Sequence, residues 1–151
     1  MTARIIPRTE LRQLVGQPLG TSGWTVINQT RVTDFGVLTE DEQWLHSDIA
    51  RAEREMNGTI AHGFLTLAML SKLRAEIWEI EGTTKAFNYG FNKLRFPAPV
   101  PTGAAIRLHE TLLAVEDRGT GVMLTRDIAV EIQGAAKPAV AAEWLGLIYF
   151  D

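Results

Sequence analysis

The sequence predicts an α+β protein in which a long antiparallel sheet curls around one buried helix. Three observations predict it. From Phe64 to Leu70 only Thr66 is polar, and a helix apolar on all sides is a buried helix. Beyond residue 83 the chain carries four long, mostly alternating apolar segments separated by Gly- and Pro-rich turns. The helical patterns come first and the strands last, unlike an alternating βαβ order.

Taken in order, residues 8–16 read as a short helix ending at Gly16, and residues 17–23 as a turn. Residues 24–27 are β-prone. Asn28 is placed to cap a helix over 29–38, with Val32, Phe35 and Leu38 on one side. Residues 49–56 form a further short helix, ended by Asn57-Gly58. The apolar helix is expected over 63–80, emerging at the surface after Ser71 and stopping at Gly82. Four strands follow, over 84–96, 104–116, 122–132 and 139–150. Phe87, Tyr89 and Phe91 share a face of the first, and Trp144, Ile148 and Phe150 a face of the last. Prolines at 97, 99 and 101 separate the first strand from the second, because proline lacks the ladder donor.

Composition narrows the possible functions. A chain of 151 residues buries roughly 70% of its unfolded surface, so residues 1–151 are expected to form one domain. The formal net charge is -3, and no Lys/Arg cluster tracks a phosphate backbone, which argues against a nucleic-acid partner. With no cysteine, disulfides, thiolate catalysis and zinc–cysteine sites are excluded. The first ten residues lack the apolar core of a signal peptide. No run approaches the ~20 apolar residues of a membrane span. A cytoplasmic protein with no membrane partner is the expectation.

The candidate chemistry lies between residues 39 and 73. Asp41 precedes His46 by five positions. A carboxylate and an imidazole aimed at one water can remove its proton and return it elsewhere. On a continuous helix the two would sit about 140° apart, so a shared water requires the chain between them to leave the helix. Gly63 falls at the start of the apolar helix, where free N–H groups and the helix dipole can stabilise charge on a close carbonyl oxygen. Tight packing of helix on strand explains that glycine equally well. Ser71 lies on the same helix, about 80° round from Gly63. His62 reads as a structural histidine and His109 as part of a solvated strand face. No spacing nominates three metal ligands, and the sequence has neither a nucleophile elbow nor a phosphate-binding glycine fingerprint.

Asp41-Glu42-Gln43-Trp44-Leu45-His46, followed by Gly58-Thr59-Ile60-Ala61-His62-Gly63-Phe64-Leu65, resembles the MaoC-like or (R)-specific enoyl-CoA hydratase family, in its nodulation protein N-like branch. The likeness extends through residues 88–101 and recurs at 136–139. It implies a hot-dog fold, a sheet wrapped around a long central helix, and a homodimer with sites near the subunit interface. It also implies that Asp41 and His46 are catalytic, that the Gly63 N–H holds a thioester carbonyl, and that Ser71 lies at the substrate. The family usually has glycine where this chain has Glu40, and the branch often has histidine where it has Glu42. The acids at 40, 41 and 42 repel one another, and these departures bear on substrate identity.

The resemblance therefore implies reversible hydration of a trans-2-enoyl thioester to the (R)-3-hydroxyacyl thioester. No metal or redox cofactor is expected, and coenzyme A or an acyl carrier protein would carry the acyl group. Lys93 and Arg95 could contact phosphate, although exposed strand charges explain them more simply. Two other readings fit the same residues: a dehydratase or cyclase on a carrier-bound intermediate of specialised, polyketide-type metabolism, and a non-catalytic acyl-thioester-binding subunit.

Overall fold

The computed structural model describes residues 2–151. The chain opens with strand β1 (Arg4–Ile6), a 3₁₀ helix (Arg8–Leu14), and short strands β2 (Pro18–Thr21) and β3 (Thr25–Val26). Helices α1 (Gln29–Thr39), α2 (Trp44–Ser47) and α3 (Ile49–Met56) follow, then α4 (Gly63–Ala68) and α5 (Leu70–Arg74). Strands β4 (Trp78–Ile80), β5 (Thr83–Arg95), β6 (Ala105–Arg118), β7 (Gly121–Ile132) and β8 (Val140–Phe150) complete it. No helix among the described residues is long and apolar enough to cross a membrane.

The main sheet is antiparallel with strand order β2-β6-β7-β8-β5, and β3 extends the ladder beside β6. The four long strands lie where the alternation places them. They are not a simple meander, because β5 pairs with β8 at the far edge rather than with β6. The proline stretch carries the chain across the molecule between those two strands. Register shifts at Asn88/Gly90 and Phe91/Lys93 disturb the alternation of β5. Phe87 and Tyr89 are consequently exposed while Phe91 packs on the core.

Helices α4 and α5 are one helical path with a break at Met69, whose backbone stays right-handed at φ -66° and ψ -15°. The path ends at Arg74, earlier than the apolar pattern suggests. Residues beyond it turn into β4, where Trp78 and Ile80 pair in parallel with Arg4 and Ile6. Leu65, Met69, Leu70 and Leu73 face the sheet and are buried, each Leu contributing about 1.5–3 kcal/mol. The opposite face is open rather than enclosed: Phe64 is 68% exposed, and Gly63, Ala68 and Ser71 are exposed as well.

Helix α1 begins as the sequence suggests, with the Asn28 side chain accepting from the Arg31 N–H at 2.9 Å. Its end explains one departure from the family pattern. Glu40 sits in the left-handed region, at φ 58°. The Glu40 N–H bonds to Val37 O and the Asp41 N–H to Gly36 O. This paired closure favours glycine at the left-handed residue. A glycine before the aspartate is thus a demand of the helix end, and Glu40 carries backbone strain there. Glu40→Gly is expected to stabilise the protein by about 1 kcal/mol, a Tm rise of about 2–4 °C. A thermal melt showing an unchanged or lower Tm would contradict this account.

Candidate functional site

Asp41 is the second residue past the α1 closure, and residues 41–43 are non-helical before α2 begins. The chain therefore leaves the helix between Asp41 and His46, as a shared water requires. The Asp41 carboxylate is half-buried and accepts from Gln43 Nε2 at 3.2 Å. His46 sits in the single turn of α2 and is buried. Its Nδ1 lies 2.6 Å from the Ile60 carbonyl. A carbonyl only accepts, so Nδ1 carries the proton and, in the neutral ring, Nε2 carries the lone pair.

His62 belongs to this cluster. Its ring stacks on His46 with centroids 3.7 Å apart and planes 25° apart. Its Nε2 donates to the Asp41 backbone carbonyl at 2.8 Å, and its Nδ1 is buried without a partner. A cavity of about 10 Å³ lies among Val32, Gly36, Asp41, His46 and His62, close to the smallest space that holds one water. Burial is the main force lowering the His46 pKa below 6.5, with the nearby His62 acting the same way; the Ile60 carbonyl and Asp41 oppose them. The ring is therefore neutral at pH 7 and able to accept a proton.

Gly63 is the first residue of α4, directly after His62. A Cβ there would lie 3.3 Å from the Phe96 ring, so close packing is one reason for the glycine. Its position in the first turn also leaves its N–H outside the intrahelical ladder. Ser71 lies two turns further on, where it lines an open groove with Phe64, Leu67, Ala68 and Phe91. The structure thus brings Asp41, His46 and His62 together. Gly63 follows directly in the chain, and Ser71 stands apart along the helix. His109 is on the solvated face, 2.6 Å from Glu131. Lys93 pairs with Glu143 at 3.1 Å.

Asp41, His46 and His62 each offer a ligand atom within 4.8 Å of the others, a third candidate metal ligand that spacing alone did not nominate. The geometry fits a metal poorly. Imidazole lone pairs lie in the ring plane, and two nearly parallel stacked rings direct them side by side rather than toward one ion about 2 Å away.

Sequence reasoning missed two residues. His62 was indistinguishable from a core histidine, because its value comes from stacking on a residue 16 positions away. Gly36 had a signal, since a glycine inside a helix costs about 1 kcal/mol and needs a reason. The reason is contact: a Cβ at Gly36 would lie 3.0 Å from the Asp41 carbonyl and 3.4 Å from His62 Nε2.

Comparison with known proteins places the chain in a family. Residues 10–132 match the family described as MaoC like domain. A 3-hydroxyacyl-thioester dehydratase Z of Mycobacterium tuberculosis is 46% identical over 136 residues, covering 89% of this chain and 90% of the relative. A nodulation protein N of Rhizobium leguminosarum is 38% identical over 141 residues, covering 91% and 88%. Among solved structures, the (R)-hydratase from A. caviae involved in PHA biosynthesis superposes with a TM-score of 0.67 at 26% identity, covering 87% of this chain and 94% of that one. Its match makes the sheet-around-helix architecture a hot-dog fold. The chain belongs to the MaoC-like family of hydratases and dehydratases.

Proposed function

We propose that this enzyme adds water reversibly to a trans-2-enoyl thioester, giving the (R)-3-hydroxyacyl thioester. One observation carries the reading. The Ile60 carbonyl fixes the His46 proton on Nδ1 and leaves Nε2 as the basic nitrogen of a ring that clusters with the Asp41 carboxylate. The likeness to a 3-hydroxyacyl-thioester dehydratase and to an (R)-hydratase supports it.

In this mechanism one water sits between His46 Nε2 and the Asp41 carboxylate. Asp41 accepts one hydrogen bond and orients the water. His46 takes the other proton as the oxygen adds to C3. Electron density moves onto the thioester oxygen, where the Gly63 N–H stabilises it. The imidazolium then returns its proton to C2, so water is consumed and the ring is restored. Dehydration runs the same steps backward. These steps use no metal or redox cofactor, and the acyl group rides on coenzyme A or an acyl carrier protein in the cytoplasm. Ser71 lines the groove that receives the acyl chain.

The exposed Phe64, Phe87 and Tyr89 and the unpaired edge of β5 support a homodimer, since such edges and patches otherwise favour aggregation. Light scattering should give twice the chain mass; a monomer at micromolar concentration would contradict this.

Activity is expected as loss of the conjugated absorbance of crotonyl-CoA. Asp41→Asn and His46→Ala should each lower kcat/KM by roughly 100- to 10,000-fold; full activity in either variant would sink the mechanism. Because burial lowers the His46 pKa, the base is neutral above its pKa and activity falls as pH drops through it. The acid limb of kcat/KM should have its midpoint below 6.5, and a midpoint above 7 would contradict the assignment.

A further inference from the structure

The core beside α5 holds charged residues that the proposed chemistry leaves unused. Glu110 and Arg126 are 2% and 3% exposed and bond to each other at 3.1 Å. Glu110 also accepts from Trp78 Nε1. Arg126 lies over the Trp144 ring at 3.8 Å, and Arg74 over the Trp78 ring at 4.2 Å. Stacking holds the guanidinium planes and leaves their edge N–H groups available. Arg126 pairs with the buried Glu110 carboxylate, whose charge also acts on Arg74, as does that of Glu79. Burial lowers the Arg126 pKa to about 10, so it remains charged at neutral pH.

Among the described residues four buried side-chain nitrogens lack a hydrogen-bond partner, and three are here: Arg74 Nε, Arg126 Nε and Trp144 Nε1. An unmet buried donor costs about 1–3 kcal/mol. All three residues line one cavity of about 220 Å³. Gly146 makes room for it, since a Cβ there would lie 3.0 Å from Arg126 Nη2. The cavity shares Ser71, Asn88 and Trp144 with the groove that begins at Phe64, next to Gly63. Arg74 closes the helical path that Gly63 opens, about three turns further on. A thioester carbonyl at Gly63 would therefore send its acyl chain along this groove toward the cavity.

We propose that this cavity, lined by Arg74, Arg126 and Trp144, binds a carboxylate at the far end of the acyl chain, so that the preferred substrate is the monothioester of a dicarboxylic acid. A carboxylate is the group that the unpartnered donors and the two guanidiniums of this wall would hold. A terminal methyl would leave them unmet. The assignment rests on the groove being the acyl channel of the enoyl-thioester hydratase proposed above.

The test uses saturated acyl-pantetheine thioesters, which carry the arm common to coenzyme A and carrier proteins and cannot turn over. Chains from hexanoyl to decanoyl are compared with the carboxyl-ended thioesters of equal length by calorimetry. The carboxyl-ended member should bind on the order of tenfold more tightly at the length that reaches the cavity. Arg74→Met should reduce that ratio toward one. Trp144→Phe, which keeps the ring and removes only the Nε1–H, should lower it by several-fold. Equal binding at every length, or a preference unchanged in both variants, overturns the proposal. Hydration of crotonyl-pantetheine and of a carboxyl-ended trans-2-enoyl-pantetheine by the same preparation separates the two readings. Turnover without carboxyl preference removes the cavity assignment alone; carboxyl preference without turnover removes the hydratase reading alone.

Discussion

The Ile60 carbonyl, 2.6 Å from His46 Nδ1, is the contact on which the site depends. It decides which imidazole nitrogen is free, and it stays in place because its segment is held on both sides. The Ile60 N–H bonds to Leu45 O, the Ala61 N–H to Val100 O, and the Thr102 N–H to Thr59 O. Gln29, at the start of α1, donates to the His46 carbonyl and accepts from the Thr59 hydroxyl. Residues 59–62 are therefore fastened between α2 and the proline-rich crossover. His62, at the end of this segment, reaches back to the Asp41 carbonyl. Backbone carbonyls thus orient the His46 and His62 rings, while the side chains of Gln43 and Gln29 hold the Asp41 carboxylate and the His46 carbonyl.

The helix path from Gly63 to Arg74 gives the site its direction. Its inner face is anchored in the sheet by Leu65, Leu70 and Leu73. Its outer face remains open and leads from the His62–Gly63 corner toward Ser71 and Arg74. At one end Asp41, His46 and His62 line a space about the size of one water. At the other a buried pair, Glu110–Arg126, is braced by two tryptophans. Breaking a buried pair of this kind costs about 3–5 kcal/mol, so the polar end is built into the core and is not an accident of surface charge.

Much of this was legible in the sequence. The long alternating strands, the Asn28 cap and the Asn57 stop depend on local patterns, and local patterns survive folding. The spacing of Asp41 and His46 even required a non-helical link, which residues 41–43 provide. What escaped depended on contacts between distant segments. The pairing of β5 with β8, the strand at Trp78–Ile80 and the end of the helix at Arg74 are set by neighbours far away in the chain. His62 gained its place by stacking on His46. Nothing in the local pattern of Arg126 and Glu110, on neighbouring β7 and β6, marks them as buried.

The most direct measurement is the steric course of hydration. Crotonyl-pantetheine is hydrated in D₂O, and the configuration at C3 and the face of deuterium delivery at C2 are read by NMR. The proposed hydration gives the (R)-alcohol, and a single base that takes a proton from water and returns it adds oxygen and deuterium to the same face. An (S)-product, or addition to opposite faces, would contradict the account.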